Sequence, residues 1–437
     1  MYIYLKGGLV NGKSQNILIE NDRIAEVCRE DIPVNSETEV IDCKYLTIIP
    51  GIIDVHVHFR EPGNEQKADM HTESLAALAG GVTSVIDMPN NSPACTDYNT
   101  LQNKFILAKE KMHCNYSFYL GITNNNVDNA VDISNNCHLP LKLFLGSSTG
   151  NMLVDNEKSI QKIFRDCKTL IAAHCESEKL IRINKEKYSG VKNLPYNIHS
   201  LIRNDEVCYQ SSLFATNLAK KYSTAFHLAH VSTKKELQLL SNSDIKDKNI
   251  TSEITPNHLC FYEEDYKYYR NLIKCNPAIK SYEDREALRQ ALFEGYLDMV
   301  ATDHAPHLLN EKQQSYSQAP SGIPSIQFSL LMMLQIMKQE NWPLSLIIEK
   351  MCLNPAKRYH IKYRGQIKKG YFADLVLIDF SKKTKVSKEM ILSKCGWSPL
   401  IGQTFDSKIV ATFLNGQKVY YDGIVNEQSI GQKLQLF

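Results

Sequence analysis

From residue 51 to about residue 304 the chain alternates short apolar runs with longer stretches of mixed polarity. The runs fall at residues 52–59, 82–88, 116–122, 141–145, 170–175, 225–231, 250–255 and 299–303, and each has the length of a buried strand. The stretches between them are amphipathic; residues 281–292 open with Ser281-Tyr282-Glu283-Asp284, a capping-box pattern that starts a helix. Eight strand–helix repeats predict a (β/α)8 barrel of the TIM type rather than an open sheet, and no Gly-rich phosphate turn favours the open form. Residues 1–50 and 365–437 follow another rhythm, with short alternating runs broken by turns such as Gly7-Gly8-Leu9-Val10-Asn11-Gly12. Neither end holds enough apolar residues for its own core, so the two predict one composite β-sandwich domain beside a barrel domain at 51–364. The polar stretch 308–321, after the eighth run, reads as a long loop of the kind that covers active sites.

Composition narrows the class. With 43% hydrophobic and 22% charged residues, the 437-residue chain is an ordinary globular one. A net charge of +2 without a basic stripe argues against nucleic acid, and no apolar run is long enough for a bilayer. The twelve cysteines are scattered, with no Cys-x-x-Cys pair and no apolar leader at Met1, which points to reduced thiols in a cytoplasmic protein. In His174-Cys175 the thiol alternates away from the face the histidine uses, so a cysteine nucleophile is disfavoured.

Chemistry in a barrel of this kind gathers at the carboxyl ends of the strands. Read in order, those ends give His56 and His58, which share one strand face, then Asn90 and Asn91, Lys142, His174, His230, and Asp303 followed by His307. Imidazole and carboxylate ligands suit zinc or a similar divalent ion. The set exceeds what one tetrahedral ion needs, which points to two ions about 3.5–4 Å apart bridged by hydroxide. Individually each residue has a plainer reading: core histidines, a turn-capping Asp303, a lysine snorkelling from the rim. An ammonium beside two cations is costly, however, and a neutral Lys142 carboxylated to an anionic carbamate suits the position better. Asp303 can bind an ion through one oxygen and act as general base and acid through the other.

Pro50-Gly51-Ile52-Ile53-Asp54-Val55-His56-Val57-His58 resembles the first-strand signature of the amidohydrolase superfamily, and Gly370-Tyr371-Phe372-Ala373-Asp374-Leu375-Val376-Leu377 its C-terminal β-domain signature. His58-Phe59-Arg60-Glu61-Pro62-Gly63, Asp87-Met88-Pro89-Asn90-Asn91 and Thr302-Asp303-His304-Ala305-Pro306-His307 are similar to motifs of the dihydroorotases within it. That resemblance, over nearly the whole chain, implies reversible interconversion of N-carbamoyl-L-aspartate and L-dihydroorotate in pyrimidine biosynthesis. It implies two zinc ions held by His56, His58, carboxylated Lys142, His174, His230 and Asp303, and a small-molecule substrate bound by Arg60, Asn90, Asn276, His307 and the backbone at Gly322. A homodimer is compatible with it. Leu141-Lys142-Leu143-Phe144-Leu145 is similar to the lysine-bearing branch, whereas Asn257-His258 stands where a histidine pair is common. Allantoinases and dihydropyrimidinases share the ligand types, but their ring substrates lack the carboxylate that a planar Arg60 fork matches. A non-enzymatic scaffold of the same fold is the remaining alternative; such relatives typically lose ligands, and every ligand type is present here.

Overall fold

The computed structural model describes residues 2–146, 152–191 and 193–436. Each of the eight apolar runs contains a strand: Ile52–Val57, Val82–Asp87, Asn115–Phe118 continued by Leu120–Gly121, Leu141–Phe144, Ile171–His174, Phe226–Leu228, Ile250–Ile254 and Met299–Val300. Neighbours pair in parallel, with Lys142 beside Ala172, Phe144 beside His174 and Leu228 beside Ser252. The ring closes where Val57 bridges His304 and the His58 amide donates to the His304 carbonyl at 2.8 Å. A buried cluster of Ile53, Val55, Ile86, Ala172, Met299 and Ala301 joins strand five to strands one, two and eight, which requires it to cross the barrel interior. The helices outside are capped as their sequences dictate. Ser281 accepts the Asp284 amide at the head of Tyr282–Glu294, and Gly295 ends that helix at φ 87°, a conformation that costs glycine little.

Several strands stop short of the apolar runs that predict them. The sixth ends at Leu228 rather than 231, and the eighth at Val300 rather than 303. The backbone leaves the extended region at Arg60 (φ 66°), His230 (φ 35°) and Asp303 (φ 47°), turning each of these side chains over the barrel mouth.

The chain ends meet in one nine-stranded sheet. Its order is Ile424–Val425, Gln417–Tyr421, Lys408–Leu414, Leu375–Asp379, Thr47–Pro50, Tyr2–Val10, Lys13–Glu20 and Arg23–Cys28, with Thr38–Asp42 alongside Tyr2–Val10. The seam between the two ends is the antiparallel pairing of Leu375 with Pro50 and Leu377 with Ile48. Ile3, Leu5, Ile17, Ile48, Leu375 and Phe413 form a core belonging to this sheet. Two stretches of the C-terminal segment leave the sheet for the barrel. Gln432 and Leu434 bracket Tyr116 by backbone hydrogen bonds at 3.0 and 2.8 Å, and Trp397 donates its indole N–H to the His307 carbonyl at 2.7 Å. Among the described residues, no helix is long and apolar enough to cross a membrane.

Candidate active site

Five strand ends bring the expected metal donors together. His56 and His58 both direct Nε2 at Asp303 Oδ1, at 3.3 and 3.0 Å. Opposite them, His174 Nδ1 lies 2.9 Å from His230 Nε2, and the rings of His56 and His230 are 5.3 Å apart. The ligand atoms of His56, His230 and Asp303 fall within 4.8 Å of one another. Lys142 lines the same cavity, and its Nζ, like His230 Nδ1, is buried without a hydrogen-bond partner among the described residues. Buried polar atoms rarely go unsatisfied. A divalent cation shared by this donor set fits the convergent imidazoles and the carboxylate, and Lys142 fits beside it as a neutral or anionic group rather than as an ammonium, so the residues suit the implied metal.

Three of the other ring nitrogens are held by side chains, of which Glu253 and Glu176 were not expected from the sequence and Asn90 was. His56 Nδ1 bonds Glu253, whose second oxygen takes His227 Nε2 at 3.1 Å. His174 Nε2 bonds Glu176 at 2.9 Å, and Glu176 is ion-paired with Arg203. His58 Nδ1 meets Asn90 Oδ1 at 2.7 Å. Such partners fix ring orientation and leave one defined nitrogen for a metal. Glu176 was within reach of strand alternation, two residues after His174; Glu253 shows itself only as a charged residue inside an apolar run.

Electrostatics follow burial. Burial works against the charge on Asp303, but His56, His58 and His230 around it hold its carboxyl below the usual range, so it is ionised. Burial brings the Lys142 ammonium down to about 8, only partly resisted by Glu253 and Asp303, so a share of neutral amine exists near neutrality. Burial likewise pulls His58 to about 4, keeping it a neutral ligand.

The expected substrate residues surround the same cavity. Arg60, Asn90, Asn276 and Gly322 line it with Phe144, Ala305 and Ser321. Arg60 is buried, which lowers its pKa to about 10 and leaves it cationic, and its Nε is anchored on the Pro306 carbonyl at 3.1 Å. His307 stands behind Arg60 (Nη2 to Nε2, 3.2 Å). The Ser321 carbonyl, which can only accept, lies 3.1 Å from His307 Nε2, while Lys67 Nζ lies 3.2 Å from Nδ1. The ring is neutral: burial first, then Arg60 and Lys67, holds its pKa well below the usual imidazole value. Asn276 Oδ1 accepts from His199 Nε2 at 3.1 Å. Gly322 is required sterically, since a Cβ there would lie 2.3 Å from the Ala305 carbonyl oxygen. Asn257 and His258 are structural: Asn257 donates to Ser325 Oγ at 2.8 Å, and His258 spends both nitrogens on Thr255 and the Pro277 carbonyl. Cys175 is buried and its thiol is pushed far up by burial, which removes it as a nucleophile.

A barrel with imidazoles, a lysine and an aspartate converging at its mouth offers the donor set of a metal-assisted hydrolase. Residues 47–419 match the profile of the amidohydrolase family, and the chain belongs to that family. It is 33% identical to a dihydroorotase of Methanosarcina acetivorans over 399 residues, 88% of this chain and 84% of that one. It is 31% identical to a dihydroorotase of Staphylococcus epidermidis, covering 95% of this chain and 97% of the relative. A dihydroorotase of Listeria innocua is 30% identical, with 97% and 99% covered. Among solved structures, an L-hydantoinase (dihydropyrimidinase) from Arthrobacter aurescens superposes with a TM-score of 0.93 at 23% identity, covering 99% of this chain and 100% of that one. A dihydropyrimidinase from Brevibacillus agri gives 0.90 at 19%, with 100% and 99% covered. At those identities the structures establish the shared fold.

Proposed function

We propose that this chain is a dihydroorotase, reversibly hydrolysing the ring amide of L-dihydroorotate to N-carbamoyl-L-aspartate. The observation that carries the reading is a buried, cationic Arg60 on the wall of the metal-donor cavity, in a chain aligned almost end to end with dihydroorotases. A guanidinium fork matches a carboxylate in two parallel hydrogen bonds, and dihydroorotate carries one beside its cyclic amide. His56, His58, His174, His230, Asp303 and Lys142 as its carbamate would hold two zinc ions, which when bound supply Lewis-acid polarisation of the ring carbonyl and acidification of water.

The chain's own residues do the rest. Arg60 and Asn90 fix the carboxylate and so aim the amide at the donor cluster, which turns an encounter into an oriented reaction. The backbone at Ser321 and Gly322 forms the facing wall. Asp303, held ionised, takes a proton from the attacking water and delivers it to the ring nitrogen as the C–N bond breaks. Ring closure runs the same steps in reverse.

A hydantoinase-type activity is the second reading, since the ligand types are shared, but the likeness to the Arthrobacter enzyme at 23% identity bears on the fold alone. Turnover assays on dihydroorotate, dihydrouracil and allantoin, with metal content measured in parallel, separate the two. The reading requires activity on dihydroorotate and about two zinc per chain; preference for a ring lacking the carboxylate would overturn it. A cytoplasmic setting belongs with this reading, supported by twelve free cysteines. So does a homodimer, which sedimentation velocity tests.

A further inference from the structure

We propose that Lys104, on the outer helix Tyr98–Lys111, positions Arg60 for the substrate carboxylate. The inference deepens the proposed function and rests on its assignment of Arg60.

Arg60 has an unusual backbone for a residue with a side chain, at φ 66°. A conformation of that kind persists only where the surroundings over-determine it. Both flanks of Arg60 are tied to the Asp87–Asn91 segment. The Phe59 amide donates to Asp87 Oδ1 at 2.8 Å, and the Glu61 carbonyl accepts from Asn91 Nδ2 at 2.8 Å. The remaining acceptors of those two side chains converge on Lys104. Its Nζ lies 2.5 Å from Asp87 Oδ2, 2.7 Å from Asn91 Oδ1 and 2.8 Å from the Met88 carbonyl. Two of its donors make hydrogen bonds, to Asn91 and to the Met88 carbonyl, and the Asp87 contact is a close ion pair rather than an aligned hydrogen bond. The side chain is 1% exposed, and its Nζ lies 4.6 Å from the centroid of the Phe118 ring.

This explains a charged residue in a place where charge is expensive. A buried lysine–aspartate pair is weak evidence for stability by itself, since desolvation offsets the attraction. What Lys104 contributes is geometry: one cation orients the carboxylate that holds the residue before Arg60 and the amide that holds the residue after it. Lys104 touches no substrate, so it is a positioning residue. Asn90, between Met88 and Asn91, belongs to the same tethered segment, which couples the two groups assigned to the carboxylate.

Two measurements test this. In Lys104→Met, KM for dihydroorotate should rise about tenfold or more while kcat changes less than about threefold and metal content is unchanged. In an Arg60→Ala background the same substitution should add less than about threefold, because of the two groups on the tethered segments only Asn90 remains. Hydrogen–deuterium exchange across residues 59–64, which needs no substrate, should quicken in Lys104→Met by about tenfold at the Phe59 amide. Unchanged KM, an equal penalty with and without Arg60, or unchanged exchange would each overturn the proposal. A wild type inactive on dihydroorotate would instead overturn the proposed function, and the exchange result would still decide whether Lys104 holds this segment. If Lys104→Met does not fold, Asn91→Ala replaces it in both measurements: it removes the Glu61 tether, leaves the Lys104–Asp87 pair, and should give a smaller KM rise and faster exchange.

Discussion

Asp303 is held in place from both sides: its backbone turns at φ 47°, and its carboxylate sits between His56 and His58. Asn keeps the shape and cannot take a proton, so Asp303→Asn should lower kcat by about a thousandfold or more. Its thermal midpoint should stay close to the wild type's; a collapse of the fold, or near-normal turnover of metal-loaded protein, would contradict the role. Lys142 raises a different question, because its nitrogen has no hydrogen-bond partner among the described residues and its ammonium is pulled down to about 8. A neutral amine adds carbon dioxide; an ammonium does not. Protein equilibrated with carbon-13 bicarbonate and metal should show a carbamate carbon resonance that Lys142→Met lacks, and the variant should retain less metal. Absence of that resonance in active, loaded protein would rule the carbamate out.

At the scale of elements, the stretch 308–321 shows what a sequence conveys and what it conceals. Its polar composition announces a loop beside the site, and the structure adds only the short helix Leu309–Lys312. The loop is nevertheless pinned from within. Lys312, 1% exposed, donates to the carbonyls of Lys274, Pro320 and Gly322 at 3.0, 3.0 and 2.8 Å, and Lys274 donates to those of Tyr316 and Ala319. Gly322 follows at φ 148°, with no room for a Cβ. Gly322→Ala should therefore push the Ser321–Gly322 wall off Ala305 and raise KM by about tenfold, with metal content unchanged; steady-state kinetics on metal-analysed samples check this. The eight strands, the Ser281 cap and the donor-bearing strand ends were legible because alternation and capping are local rules. Glu176 lay within reach of alternation from His174, but the roles of Glu253 and Lys104 were not legible, since a lone charged residue in a strand or helix does not say what it faces. Nor did local rules reveal that Arg60, His230 and Asp303 turn out of extended backbone, because neighbours far along the chain impose that.

The whole molecule is a barrel whose entry strand is threaded through a sheet made from both chain ends. Thr47–Pro50 pairs with Leu375–Asp379, and beyond the single residue Gly51 the same chain becomes the first barrel strand. Gly370-Tyr371-Phe372-Ala373-Asp374 resembles a C-terminal β-domain signature, and the structure supplies its physical content at Asp374. The Asp374 carbonyl receives the Gly51 amide at 2.8 Å, and its carboxylate accepts the Asn415 amide at 2.7 Å while pairing with Arg364. Arg364 also donates to Asn415 Oδ1 at 2.9 Å, and Asn415 Nδ2 reaches Asn115 at the foot of the third barrel strand, again at 2.9 Å. Arg364 and Asp374 are both nearly inaccessible, with side chains 4% and 3% exposed. Removing the cation alone leaves a buried, uncompensated carboxylate at the joint, so Arg364→Met should cost about 3–5 kcal/mol of unfolding free energy. Because the network spans sheet and barrel, urea unfolding of the variant should keep a single transition at a lower midpoint, with kcat and KM of the folded protein unaltered. Two separated transitions in the variant would show that Arg364 couples the two units; a single transition at the wild-type midpoint would mean that the joint contributes nothing to their stability.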